Sequence, residues 1–425
     1  MFLIMPDTAH SPFSLPPAGM LGAEIMARAS KLAEASEGGP GVTRLVCSPE
    51  QALAYEFIRG WMEAAGMTTR IDDVGNLIGR YEGEKPGLPA LMTGSHQDTV
   101  RQGGRYDGML GFLVPISAVG ALNRAGVRLP FAIEILIFAD EEGVRYSTSL
   151  FASQAIAGTF DMKVLEQVDE NGISLRQALI DFGCNPDNIP QIRRQKHEAL
   201  GFFEVHIEQG PVLEARNLPV GVVTAIAGAD RLNLTVTGMA GHAGTVPMKQ
   251  RHDALAAAAE MVLEVERVVG DHPGMVGTVG RLETLPGAIN VIPGEVRFTI
   301  DLRGPEDTRR RALRAELLAA LAAIAEKRGV SLSHTLIYEM PATPCSASMI
   351  GQVEAAVRSV GVEPLHLYSG AGHDTMAMAD LTQVGMLFVR CDRGISHNPA
   401  ESITAEDADV AARVWLNFAL NFRAA

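Results

Sequence analysis

The chain has 425 residues, 47% of them hydrophobic and 20% charged, the profile of a globular protein long enough for two or three domains. Its formal charge of −14, from 50 acidic against 36 basic residues, repels phosphate backbones and argues against a nucleic-acid partner. Cys47, Cys184, Cys345 and Cys391 form no Cys-x-x-Cys pair, which speaks against a disulfide framework or a thiolate zinc site and for a reducing, cytoplasmic setting. The apolar start Met1–Met5 lacks a basic flank and stops at Pro6 and Asp7, short of a signal-peptide core, and the Pro-rich opening up to Pro17 reads as loose. No segment approaches the roughly 20 apolar residues of a membrane span.

In chain order, Pro49 to Gly66 reads as a helix closed by its glycine, and Asn76 to Tyr81 as a short strand. A second strand, Pro89 to Thr93, runs into Gly94-Ser95-His96-Gln97-Asp98. Leu110 to Ala125 reads as a helix and Phe131 to Phe138 as a buried strand that ends at Asp140-Glu141-Glu142-Gly143. Alternation of strand and helix implies an α/β domain with a mainly parallel sheet, whose ligand sites lie beyond the carboxyl ends of the strands.

Residues 222–338 read differently. Strand Arg231 to Thr237, helix Asp253 to Val269, strands Gly274 to Leu282 and Glu295 to Leu302, helix Glu306 to Arg328 and strand Ser331 to Tyr338 give the order βαββαβ. That is the pattern of a small α/β sandwich. It predicts a domain of residues 222–338 inserted into one made of residues 1–221 and 339–425, which resumes with a helix at Ile350 to Val360 and a strand at Val384 to Val389.

Chemistry-bearing residues gather where strands end. His96 is followed two residues on by Asp98, which suits a carboxylate accepting the second ring N–H of a metal-bound imidazole. Asp107, in Gly103-Gly104-Arg105-Tyr106-Asp107-Gly108, sits where glycines let the backbone bend sharply. The adjacent carboxylates Glu141 and Glu142 repel each other unless a cation lies beside them. Alternation puts Glu204, His206 and Glu208 on one strand face, and His397 lies in the loop Ser396-His397-Asn398-Pro399-Ala400-Glu401. Each residue alone has an ordinary structural reading as an acidic turn or a hydrogen-bonded histidine. Together they supply the nitrogen and oxygen donors suited to zinc, manganese, cobalt or nickel. Local pattern does not choose among the histidines, since His373 in Gly370-Ala371-Gly372-His373-Asp374 competes on equal terms.

The ordered set Gly-Ser-His96-x-Asp98-Thr-Val, Gly-Gly-x-Tyr-Asp107-Gly, Glu141-Glu142-Gly, His206-Ile-Glu208-Gln209-Gly-Pro, Gly241-His242-Ala-Gly-Thr and Ser-His397-x-Pro-x-Glu401 resembles the amidase and carbamoylase branch of the M20 metallopeptidase family. The likeness runs from about Pro49 to the end. It departs at Gln97, where an apolar residue is usual, and at Tyr146, where Phe is common. The resemblance implies two divalent metal ions held by His96, Asp107, Glu142, His206 and His397, with Asp107 bridging and Asp98 behind His96, and sets His373 aside. It also implies Glu141 as general base and His242 as donor to the oxyanion. Gln209, Asn290, Arg303 and Gly370 are then substrate contacts, and the inserted domain a lid and homodimer interface.

The expected reaction is hydrolysis of the terminal C–N bond of a small ureido acid, giving ammonia, carbon dioxide and the freed amino compound. N-carbamoyl-L-amino acids and allantoate stand level as substrates, with N-carbamoyl-β-alanine as a third candidate. The alternatives are a dipeptidase or N-acyl amino acid deacylase using the same metals, and a metal-dependent binding protein without catalysis.

Overall fold

The structure, a computed structural model, describes residues 14–424, so Met1–Met5 and the opening before residue 14 lie outside the described residues. Sixteen strands are named in chain order among the described residues. The first six are β1 (Thr68–Ile71), β2 (Leu77–Tyr81), β3 (Ala90–His96), β4 (Ala132–Phe138), β5 (Ala199–Ile207) and β6 (Val220–Ile226). Then come β7 (Gly228–Thr237), β8 (Gly241–His242), β9 (Val276–Thr278), β10 (Leu282–Leu285), β11 (Val291–Ile292), β12 (Glu295–Gly304) and β13 (Ser331–Met340). The last are β14 (Thr343–Pro344), β15 (His366–Ser369) and β16 (Val384–Val389). The chain divides into two compact units, one running up to Thr224 and then comprising Cys345–Leu367 and the chain from His373, the other Ala225–Pro344 with Tyr368–Gly372.

In the first unit the sheet has the order β1-β2-β4-β3-β5-β16-β6. Its centre is parallel, β4 with β3, β3 with β5 and β5 with β16, and its margins are antiparallel. Both faces are covered, and the pleat divides each strand between two cores. Ile133, Ile135 and Ile137 of β4 join the core that holds the helices Leu110–Arg124 and Ala405–Asn421. Ala132, Leu136 and Phe138 join the core on the other face, with Phe151 and Leu175. Glu134, on that strand, is buried but paired with Arg80 and Arg194. The expected helix at Pro49 runs to Ala64, with Ser48 accepting from Gln51 N, and Gly66 follows at φ 80°. A helix at Met20–Leu32 had no counterpart in the sequence reading.

The second unit is an antiparallel sheet, order β10-β12-β7-β13, with the helices Ala254–Gly270 and Asp307–Arg328 packed into a single core. Leu232, Leu234 and Val236 of β7 and Phe298, Ile300 and Leu302 of β12 are buried in that core, so the intervening Arg231, Asp301 and Arg303 lie on the other face. The expected strand Gly274–Leu282 is a correction: two short strands, β9 and β10, pair separately with β12. The stretch crosses Gly277 and Gly280, which supply no side chain to pack and let the chain bend. No helix among the described residues is long and apolar enough to cross a membrane.

Candidate metal and catalytic centre

The parallel strands of the first unit all deliver chemistry at their carboxyl ends. His96 closes β3, Asp140 to Glu142 follow β4, His206 lies near the end of β5 and His397 follows β16. Asp107 comes from the loop between β3 and the helix Leu110–Arg124. Its Oδ1 lies 3.1 Å from His206 Nε2 and 3.8 Å from His96 Nε2. Its Oδ2 lies 3.3 Å from His397 Nε2, which is in turn 3.4 Å from Glu142 Oε1. Thus His96, Asp107 and His206 form one potential metal-holding group, and Asp107, Glu142 and His397 form a second that shares Asp107. A third, overlapping group joins His96 to Glu141 and Glu142. Within each group the ligand atoms lie within 4.8 Å of one another.

The loops around these residues are tied down. Asp98 accepts from Glu141 N (2.9 Å) on one oxygen and from Glu142 N (3.1 Å) on the other. The first of these oxygens is also 3.4 Å from His96 Nδ1. Glu401 Oε1 accepts from Tyr106 N and Asp107 N, at 2.8 and 3.1 Å. Gln209 Nε2 donates to Asp107 Oδ2 at 2.9 Å, and Ser396 Oγ lies 2.6 Å from the same oxygen. Gln209 and His397 both adopt positive φ, 56° and 55°, a backbone region uncommon for such residues. Gly108, at φ 76°, packs so closely that an added Cβ would lie 2.5 Å from the His96 ring.

Charge in this pocket is out of balance. Burial, with Glu142, Asp98 and Asp107 adding to it, pushes Glu141 up to about 8. Burial and the same neighbouring carboxylates, Asp107 and Asp98, push Glu142 up to about 7. The hydrogen bond to Asp107 raises His397 to about 9. Burial opposes charge on His96, yet Asp98 beside it holds its pKa well above the usual value. Burial likewise opposes charge on Asp107, and the imidazoles of His206 and His397 overcome it and hold that carboxyl well below the usual range. Without a cation the cluster therefore collects protons. Divalent cations fit the need, because the donors are imidazole nitrogens and carboxylate oxygens with no thiolate among them.

His373 is buried, stacked edge-on against His206 at 4.4 Å between ring centroids, and belongs to none of the three groups. Burial and His206 push its pKa well below the usual value, which leaves a neutral ring. Glu208 corrects the alternation argument: β5 ends at Ile207, and the Glu208 carboxylate turns to accept from Val212 N and Leu213 N. Gln97 is buried and donates to Ala139 O, which fastens the end of β3 to the end of β4. Arg44 was missed by the sequence reading. It is fully buried and donates to Gln97 O at 2.8 Å and to Leu32 O and Ala35 O, bracing the segment between His96 and Asp98. A lone arginine beside Leu45 and Val46 was the available signal.

The second unit holds the remaining sequence-predicted residues in two places. His242, on β8, is paired in register with Val291 of β11, and Ala243 N donates to the carbonyl of Asn290. Arg303, on β12, donates from Nη1 to Gly370 O at 2.8 Å. His242 and Asn290 are thus brought together, and so are Arg303 and Gly370.

Residues 92–421 match the family described as peptidase family M20/M25/M40. An N-carbamoyl-L-amino-acid amidohydrolase of Pseudomonas sp. (strain NS671) is 40% identical over 88% of this chain and 91% of its own length. An allantoate deiminase of Arabidopsis thaliana is 40% identical over 93% of this chain and 81% of its own. The solved structure of an amidase of the hydantoinase/carbamoylase family from Burkholderia multivorans superposes with a TM-score of 0.88 at 33% identity, covering 94% of this chain and 97% of that one. This chain belongs to the M20/M25/M40 peptidase family.

Proposed function

We propose that the chain is an amidohydrolase that cleaves the terminal ureido C–N bond of a small ureido acid, either an N-carbamoyl-L-amino acid or allantoate. The observation that carries this reading is the convergence of His96, Asp107, Glu142, His206 and His397 around one shared carboxylate, with Glu141 beside them. The substrate class draws support from the relatives, an amidohydrolase of N-carbamoyl-L-amino acids and an allantoate deiminase.

His96, Asp107 and His206 would hold one divalent ion, and Asp107, Glu142 and His397 a second. Such ions supply Lewis acidity toward a carbonyl oxygen and lower the pKa of a water. Glu141 takes a proton from the attacking water and returns it to the departing nitrogen, so that ammonia leaves and the carbamate left behind releases carbon dioxide. Asp98 fixes the backbone of Glu141 and Glu142 and the ring of His96. From the second unit, His242 serves as hydrogen-bond donor to the oxyanion, and Asn290, Arg303 and Gly370 contact the substrate, with Arg303 gripping its carboxylate. Gln209, held against Asp107, contacts the substrate from the first unit. The second unit also carries the proposed homodimer interface.

The test is ammonia release by protein stripped of metal and reconstituted with zinc, manganese, cobalt or nickel. The panel is N-carbamoyl-L-amino acids, allantoate, N-carbamoyl-β-alanine and dipeptides. Metal-dependent turnover of one ureido acid is expected, reduced about 10²- to 10⁴-fold in Glu141→Gln. Turnover of dipeptides alone would overturn the ureido reading and leave the metal centre standing.

A further inference from the structure

In the second unit the guanidinium of Arg303 is already engaged on one side. Asp301, two residues before it on the same face of β12, accepts from Arg303 Nε on Oδ1 (2.7 Å) and from Nη2 on Oδ2 (3.1 Å). Gly370 O takes an N–H of Nη1. An arginine has five N–H donors in a rigid plane. Three are used, and no further hydrogen bond from Arg303 is formed among the described residues. One N–H therefore remains on Nη1 and one on Nη2, the two nitrogens that together grip a carboxylate end-on.

The carboxylate that fixes Arg303 is itself shared. Arg231 lies directly across from Asp301 in the β12–β7 register, and its Nε donates to Asp301 Oδ2 at 3.1 Å. Tyr338 lies opposite Arg231 in the β13–β7 register, with the Arg231 guanidinium 4.9 Å from its ring centroid. One carboxylate against two guanidiniums leaves the group a net positive charge. Without Arg231, the Asp301–Arg303 pair would be neutral and would attract an anion poorly. Burial pulls Asp301 toward its neutral form, but Arg303 and Arg231 outweigh that and keep it ionised.

We infer that Asp301 is a positioning residue for substrate recognition: with Gly370 it locks the Arg303 guanidinium so that its Nη1–Nη2 end is presented to the substrate's carboxylate, while Arg231 preserves the positive charge. The inference rests on the reading of Arg303 as the carboxylate-binding residue.

The test compares the ureido acid turned over fastest in the panel above with its uncharged carboxamide, in Asp301→Asn, Asp301→Ala, Arg231→Gln and Arg303→Ala. Asp301→Asn, close in shape, guards against a folding defect in Asp301→Ala. The expected result is KM for the acid raised about 10-fold in both Asp301 variants, with kcat little changed and the carboxamide unaffected. Arg231→Gln should raise the acid's KM less, and the difference from wild type should shrink at high salt. Arg303→Ala should raise it at least as much as the Asp301 variants. If Arg303→Ala raises KM for the acid and neither Asp301 variant does, the positioning role is wrong and the reading of Arg303 stands. Equal effects on acid and carboxamide would reduce Asp301 to a structural residue. An unchanged KM in Arg303→Ala would remove the underlying reading and this inference with it.

Discussion

Both oxygens of Asp98 are occupied by backbone N–H groups of Glu141 and Glu142, so this one side chain holds the end of β3 against the loop after β4. Its loss frees the backbone of the carboxylate pair and removes the negative charge beside the His96 ring, whose Nδ1 remains 3.0 Å from the Asp98 carbonyl oxygen. Asp98→Ala is expected to weaken divalent-ion binding about 10- to 100-fold, measured by competition with a chromogenic chelator. The charge imbalance gives a second expectation at this scale. Glu141 and Glu142 are raised from the ordinary carboxylate range to about 8 and about 7, and His397 is raised to about 9. In each case the folded, metal-free protein binds protons that the unfolded chain has released. The stability these groups contribute is present at low pH and is lost as pH rises through their folded values. Metal-free protein should therefore melt at a lower temperature at pH 8.5 than at pH 6, and saturation with zinc or manganese should flatten that dependence in calorimetry. A metal-free melting temperature that rises over the interval would contradict this account.

At the scale of elements, the approach of β3 to β4 depends on Gly94. Its φ is 148°, and an added Cβ would lie 1.8 Å from Leu136 O on the neighbouring strand. A contact to backbone cannot be relieved by a side-chain rotation. Gly94→Ala should cost more than about 3 kcal/mol, read as a lowered denaturant midpoint, because two parallel strands must separate locally. The elements themselves were largely legible. Long amphipathic helices such as Ala254–Gly270, capped by Asp253, carry their period and their boundary in the sequence. So do strands whose alternation is driven by one buried face, such as β7 and β12. The region around Gly277 and Gly280 departs from the expected single strand because strand length there depends on pairing to β12, which local pattern does not contain. Glu208 departs from the expected strand face for a similar reason: whether a strand ends at Ile207 depends on the partner β16, whose register with β5 runs as far as Ile207.

For the whole molecule, β13 is the outer strand of its sheet, with Leu336, Ile337 and Tyr338 exposed. Long apolar edges of that kind invite pairing with another chain. The proposed homodimer should sediment as such, and Ile337→Lys should shift it toward monomer in analytical ultracentrifugation while the metal content per chain is unchanged. A wild-type monomer at micromolar concentration would remove the dimer proposal.

The sequence by itself determined the α/β class and most elements of the second unit, because periodicity is a local property, and it offered the histidines and carboxylates from which the family resemblance selected His96, Asp107, Glu142, His206 and His397 as candidate donors. The tertiary structure supplied the geometry for what the resemblance had only implied, Asp107 between two groups of donors and His373 in neither, and it alone decided that buried Arg44 braces the segment after His96. It likewise decided that Asp301 shares its oxygens between Arg303 and Arg231. Those relations join residues tens to hundreds of positions apart, and their partners are set by strand order and register, which arise from packing the whole chain.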